Sequence, residues 1–177
     1  MAGLRKGICI RKLDRPYTRK SKYKKKGYIR AIPPHKISRF EMGDKTKVYD
    51  YCVRLVSSGT LQIRHNALES ARMVINRKLE TGLGTNYFLR LCVYPHHAIR
   101  ENKMLGGAHA DRIQTGMAHS FGKVTGTAAQ VFRGKDIFKA WVNSTDVEKA
   151  KIALKSANAR LPAKCILVVE ASKKALQ

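Results

Sequence analysis

VYDYCVRLVSS (48–58), a run of apolar residues broken by Asp50 and Arg54, reads as a strand. Ser58-Gly59 reads as a turn and TLQIRH (60–65) as a second strand. A helical period follows. Leu68, Ala71, Ile75 and Leu79 fall at three- and four-residue intervals and mark one face of a helix. Asn66 and Glu69 stand at the spacing of a capping box at its start, and Gly82 and Gly84 stop it. YFLRLCVYP (87–95) returns to a buried strand.

The same order recurs further along. TGTAAQVFRG (125–134) and DIFKAWVN (136–143) read as a hairpin around Gly134-Lys135. Thr145 and Glu148 repeat the capping-box spacing, and Val147, Ala150, Leu154, Ala157 and Leu161 form a second helical face. After Pro162, CILVVEA (165–171) is a closing strand. Two passes of hairpin, helix and strand predict an α+β fold. Its expected form is a two-layer α/β sandwich, a largely antiparallel sheet with two helices on one face.

Two segments escape both patterns. Residues 1–47 hold sixteen Lys or Arg against Asp14, Glu41 and Asp44, a net of +13 out of +24 for the chain. More than half of the charge thus lies in about a quarter of the length. Pro16 and Pro33-Pro34 argue against long helices there. The expected organisation is a basic N-terminal arm at 1–47 and a sandwich domain at 48–177, with a projecting loop at 103–121. Tyr17, Tyr23 and Tyr28 interleave with the charges, which favours an arm ordered on RNA over a solvated tail.

Charge changes the picture more than composition does. A +24 chain with a sequence pI near 10.3 repels itself unless a polyanion offsets the charge. Nucleic acid is the expected partner, an anionic membrane surface the other candidate. No run approaches the ~18–20 apolar residues of a membrane span. MAGLRKGICIRKL is basic but has no continuous apolar segment or cleavage signal, so a soluble, intracellular protein is expected. Cys9, Cys52, Cys92 and Cys165 lie far apart without a CxxC pair, the pattern of reduced and mostly buried thiols.

GGAHADRIQTGMAHSFGK (106–123) is the stretch to test for chemistry. Five residues separate Gly116 from Gly122, and Val124 after Lys123 has no hydroxyl for magnesium, so no phosphate-binding P-loop forms. His96, His97, His109 and His119 show no metal-ligand spacing. Ser120, His119 and Asp111 lack the strand–turn–helix context of a nucleophile. Acid–base work by two loop histidines, a ribonuclease, remains a rival reading. What the loop offers is backbone: Gly106, Gly107, Ala108, Ala110 and Gly116 allow close approach to a surface. Lys103, Arg112 and Lys123 add charge, and Gln114 and Thr115 add hydrogen-bonding groups. That composition suits entry into crowded RNA; a floppy surface loop is the plain alternative.

HHAIRENKMLGGAHADRIQTGMAHSFGKVTGTAAQV (96–131) resembles the central signature of the L-ten-e family of large-subunit ribosomal proteins, the archaeal and eukaryotic counterparts of bacterial L-sixteen. IRENKML (99–105), ADRIQTGM (110–117) and FGKVTGTAAQV (121–131) carry the likeness, and RPYTRKSKY and IPPHKISRFEMG resemble its basic amino-terminal region. The ending at Gln177 is similar to the archaeal form; the eukaryotic form has a longer tail. The resemblance implies a non-catalytic structural constituent of the large ribosomal subunit, cytoplasmic, without cofactor, metal or small-molecule substrate. Its implied partners are 23S-type ribosomal RNA, neighbouring large-subunit ribosomal proteins and the aminoacyl-site tRNA near the peptidyl-transferase centre. The implied loop residues are Lys103, Gly107, His109, Asp111, Arg112, Gln114, Thr115, Gly116 and Met117, flanked by Arg100 and Lys123. His109 and Ala118-His119-Ser120 depart from the eukaryotic form.

For ribosomal RNA the expected contacts are Arg5, Arg11, Arg15, Arg19, Lys20, Lys22, Lys24, Lys25, Lys26 and Arg30, with Tyr17, Tyr23 and Tyr28 stacking on bases or sugars. Arg72, Arg77 and Lys78 either add contacts or form a solvated helix face. A general nucleic-acid-compacting protein is the second rival. It would bind duplex DNA as well as it binds structured RNA.

Overall fold

The computed structural model describes residues 6–13, 33–102 and 122–172. In chain order the elements are β1 (Glu41–Gly43), β2 (Tyr51–Ser57), β3 (Leu61–Arg64), α1 (His65–Leu83), β4 (Phe88–Leu91), β5 (His97–Glu101), β6 (Lys123–Val131), β7 (Asp136–Val142), α2 (Val147–Ser156) and β8 (Cys165–Ala171). The α+β class holds. The strands make two antiparallel sheets in place of the single one expected, in the orders β1-β4-β7-β2-β8 and β3-β6-β5.

The two expected hairpins are not hairpins. β2 pairs with β7, from Tyr51 opposite Val142 to Leu55 opposite Phe138, and β3 pairs with β6, from Leu61 opposite Val131 to Arg64 opposite Ala128. Between these ladders Ser57 N–H donates to Lys135 O at 3.0 Å and Gly134 N–H to Ser57 O at 2.9 Å, so bonding continues through the bend. Each apparent hairpin is one strand kinked from the first sheet into the second, and the two kinked strands lie side by side. Gly134 at the corner has φ +82°, a conformation other L residues adopt only under strain. Two apolar runs separated by a glycine look alike whether the chain folds back or merely bends. Long-range pairing decides between them.

Directly opposed residues share a face. Met42, Leu89 and Ala140 fall in line across the first sheet, as do Leu91, Phe138, Leu55 and Leu167. That face enters one core with the buried stripe of α1 (Leu68, Ala71, Ile75, Leu79 and Leu83) and with Ala150, Ala153 and Leu154 of α2. The helices pack on each other, α1 reaching β3 and β6, α2 reaching β2, β7 and β8. On the opposite face Phe88 meets Trp141 at 5.1 Å, and Arg54 pairs with Asp136 and Glu170.

Neither capping box forms. α1 starts one residue early, at His65, straight from the extended Arg64, so Asn66 is already in the first turn. α2 is preceded by a 3-10 turn at Ser144–Asp146 that takes up Thr145. Glu148 pairs instead with Lys151 at 2.6 Å. Glu69 turns to Arg72, whose Nε donates to Oε2 at 2.8 Å, while Ser38 Oγ donates to Glu69 Oε1 at 3.3 Å.

That contact ties in a segment whose composition assigned it to the arm. Ile37 and Met42 are buried, Phe40 packs on the core, and β1 pairs with β4. Residues 37–43, ahead of 48, therefore pack with the compact body. Charged and polar residues outnumber apolar ones in 33–47, but its few apolar side chains decide where it goes.

The hydrogen bonds from Arg72 hold the Glu69 carboxyl below its ordinary value of 4.5, outweighing the opposing effect of burial. A depressed carboxyl stabilises the fold above its unfolded pKa and stops doing so as pH falls through the folded one. Glu69→Gln should cost about 1–3 kcal/mol at pH 7, since it leaves a half-buried guanidinium without its counter-charge. Melting curves from pH 7 down to pH ~3 should show wild type losing its advantage over the variant below about pH 4.5. Parallel pH profiles would exclude a stabilising pair.

Candidate nucleic-acid interface

The basic residues are presented in three ways. Residues 6–13 run beside β3: Gln62 N–H donates to Arg11 O at 3.0 Å and Gln62 Nε2 to Ile10 O at 3.0 Å. A Cβ on Gly7 would stand 3.3 Å from an Arg64 guanidinium nitrogen, so a glycine there eases the close approach of the segment to β3. Backbone bonding holds this segment and leaves the Lys6, Arg11 and Lys12 side chains exposed. Of the expected RNA contacts only Arg11 falls here. Arg5, Arg15, Tyr17, Arg19, Lys20, Lys22, Tyr23, Lys24, Lys25, Lys26, Tyr28 and Arg30 lie outside the described residues.

The second presentation is the pair of strands on either side of 103–121. β5 and β6 run antiparallel, with Glu101 opposite Lys123, and Arg100 Nη1 donates to Gly122 O at 2.9 Å. Asn102 and Gly122, on either side of 103–121, are thus carried by neighbouring strands. β5 itself did not stand out in the sequence, because its histidine, arginine and glutamate interrupt the apolar pattern. Lys123 is exposed at the start of β6. Lys103, Gly107, His109, Asp111, Arg112, Gln114, Thr115, Gly116 and Met117 lie outside the described residues, as do His119 and Ser120.

The third is the surface of α1. Arg77 and Lys78 are exposed, but Arg72 is not available for RNA. Its side chain is 11% exposed, and its guanidinium is spent on Glu69, with Nη2 2.5 Å from Oε1 and 3.2 Å from Ser38 Oγ. The three-residue spacing of Glu69 and Arg72 on a helix was the signal for this pair.

His35 and His65 have partners within the fold. His65 Nδ1 accepts the Lys36 N–H at 3.2 Å, and burial together with nearby Lys36 pushes its imidazole below the ordinary value. Gly126 leaves room for its ring, since a Cβ there would lie 3.2 Å from Nε2. His35 Nε2 and the Tyr94 hydroxyl are 3.0 Å apart. Among the described residues no group of three His, Cys, Asp or Glu side chains could hold a metal ion. All four thiols are free; burial pushes Cys52 and Cys165 up to about 11, away from reactive thiolate. No described helix is long and apolar enough to cross a membrane.

A strongly basic α+β body with an exposed basic segment lying along β3 has the charge pattern of a nucleic-acid-associated protein. The ribosomal protein L16p/L10e family model matches residues 17–168. The chain is 45% identical over 163 residues, 92% of its length and 90% of the relative's, to the large ribosomal subunit protein uL16 of Staphylothermus marinus. It is 42% identical over 176 residues, 98% of both chains, to that of Methanococcus maripaludis, and 45% identical over 149 residues, 84% and 87%, to that of Methanocella arvoryzae. The chain belongs to the ribosomal protein L16p/L10e family, in its archaeal type, and is a structural protein, not an enzyme.

Proposed function

We propose that this protein is a structural constituent of the cytoplasmic large ribosomal subunit that binds 23S-type ribosomal RNA through its basic segments and carries the loop at 103–121 toward the aminoacyl-site tRNA near the peptidyl-transferase centre. Family membership carries the ribosomal part of this reading. The placement of charge supports the RNA part: exposed Lys6, Arg11 and Lys12 are strapped to β3, ahead of the lysine-rich 19–30. The pairing of β5 with β6 supports the loop part, because neighbouring strands can thrust a long insertion outward without disturbing the core.

The mechanism is neutralisation and placement. Each Lys or Arg that meets a phosphate releases condensed counterions, which gives affinity at the cost of salt sensitivity. The ladder of β5 and β6 fixes where the loop leaves the body, and the glycines let its backbone approach RNA closely. In sucrose gradients the wild-type chain should co-sediment with large subunits. A variant lacking 107–117 should still enter that peak, yet its ribosomes should accommodate aminoacyl-tRNA about ten- to a hundredfold more slowly, the scale expected when a positioning element is lost. Absence of the wild type from the peak would refute the ribosomal reading, and unchanged accommodation would refute the role of the loop.

A further inference from the structure

Two exposed aromatic rings have no part in the proposed RNA contacts. Tyr94, beyond the end of β4, is 45% exposed, and Phe132, just after β6, is 54% exposed. They line one cleft of about 340 Å³ together with His96, His97, Gln130 and Lys135. Thirty-eight positions separate the two rings in sequence; the corner where β6 bends into β7 brings them to one opening.

The cleft is built on one side and open on the other. Tyr94 stacks on Phe40 with ring centroids 5.4 Å apart and an interplanar angle of 20°, meets His35 edge-on, and has His96 at 4.4 Å. Its hydroxyl is held by His35. Phe132 has no such ring partner among the described residues. An aromatic ring left half in water on a protein that can bury Phe88 and Phe138 is a cost, unless something else covers it. Around it the polar groups are varied: an amide on Gln130, an imidazole on His97, and an ammonium on Lys135. Burial pushes His97 below its ordinary value, so it presents one donor and one acceptor nitrogen. Lys135 lines the cleft and is exposed, setting positive charge at its opening.

We propose that this cleft receives one unpaired RNA base, stacked on Phe132 and met along its edge by Gln130 and His97, with Lys135 against the adjoining phosphate. The inference rests on the RNA-binding reading above and adds a contact that the basic arm and loop do not supply. The chemistry favours a base over a peptide side chain. A planar ligand matches the flat aromatic wall, an amide beside a neutral imidazole offers donors and acceptors to a base edge, and the rim charge suits an anionic backbone. The volume lies near the small end of ligand sites, ~300–1,000 Å³, too small for more than one base with its sugar.

Phe132→Ala in the full chain should weaken binding to deproteinised large-subunit ribosomal RNA about tenfold while leaving the slope of log affinity against log salt unchanged, since stacking is lost and no phosphate contact is. In assembled large subunits, benzoylphenylalanine at position 132 should photo-cross-link to a nucleotide of that RNA. Wild-type affinity in Phe132→Ala, or a cross-link from 132 to a neighbouring protein, would overturn the proposal and leave the RNA-binding reading standing. If the wild-type chain shows no salt-dependent RNA binding at all, the broader reading fails and this one with it.

Discussion

Replacing Lys20, Lys22, Lys24, Lys25 and Lys26 together with glutamine should weaken binding to deproteinised large-subunit RNA roughly 3,000- to 30,000-fold at ~0.1 M salt. If all five meet phosphates, the log–log salt slope should fall by roughly 3.5–4.5, because each contact contributes ~0.7–0.9. Extrapolated to ~1 M salt the two proteins should bind nearly alike, which is how lost counterion release differs from lost shape. The control is as informative as the variant. Lys149, Lys151 and Lys155 lie on α2, where Lys149 and Lys151 already pair with Asp146 and Glu148. Neutralising those three should move the slope by less than about one, although three charges lost in place would lower it by roughly 2–2.7 if total charge alone set binding. Equal effects from the two sets would mean that total charge, not the arm, does the binding. A filter-binding series across salt concentrations decides the matter.

Where the pattern of residues reports burial, it was legible. The α1 stripe was read as Leu68, Ala71, Ile75 and Leu79, and all four are buried. CILVVEA was read as a closing strand and is β8 to the residue. Partnership is another matter, because a period of two says which side of a strand is wet and nothing about which strand lies beside it. Hence 125–143 looked like a hairpin although its halves belong to different sheets. β1 is only three residues long and surrounded by charge, so Met42 and Ile37 were submerged in a composition average. The capping boxes failed for a related reason: side-chain spacing permits a cap, but Arg64 enters α1 directly from β3 and brings the helix start forward. At the candidate interface the basic arm was visible as charge, while the Tyr94–Phe132 cleft depends on a bend between sheets that no local window contains.

That bend also determines where the fold is weakest to truncation. Phe138 is fully buried on β7 and lies directly opposite Leu55 of β2 on one side and Leu91 of β4 on the other. Its ring therefore backs two of the strand pairings in the first sheet at once, in the same core as Leu154 of α2 and Ile75 of α1. Phe138→Ala should cost about 3–5 kcal/mol, the lost transfer of the ring plus the cavity left between strands that hydrogen bonds hold apart. Against a typical total of ~5–15 kcal/mol, that removes a large share of the stability and should lower the melting temperature by roughly 10–20 °C. Ile152→Ala on α2 is the matched control. That side chain is 63% exposed, so its loss should stay within about 0.5 kcal/mol. The damage should reach the proposed base-binding cleft too. β7 joins β6 through the corner at Gly134, and Phe132 and Lys135 flank that glycine, so loosening β7 loosens the cleft beside it. Chemical denaturation of both variants, followed by tryptophan fluorescence from Trp141 on the same strand, tests this directly. A cost for Phe138→Ala no greater than that for Ile152→Ala would mean that the first sheet does not depend on the core it shares with the helices.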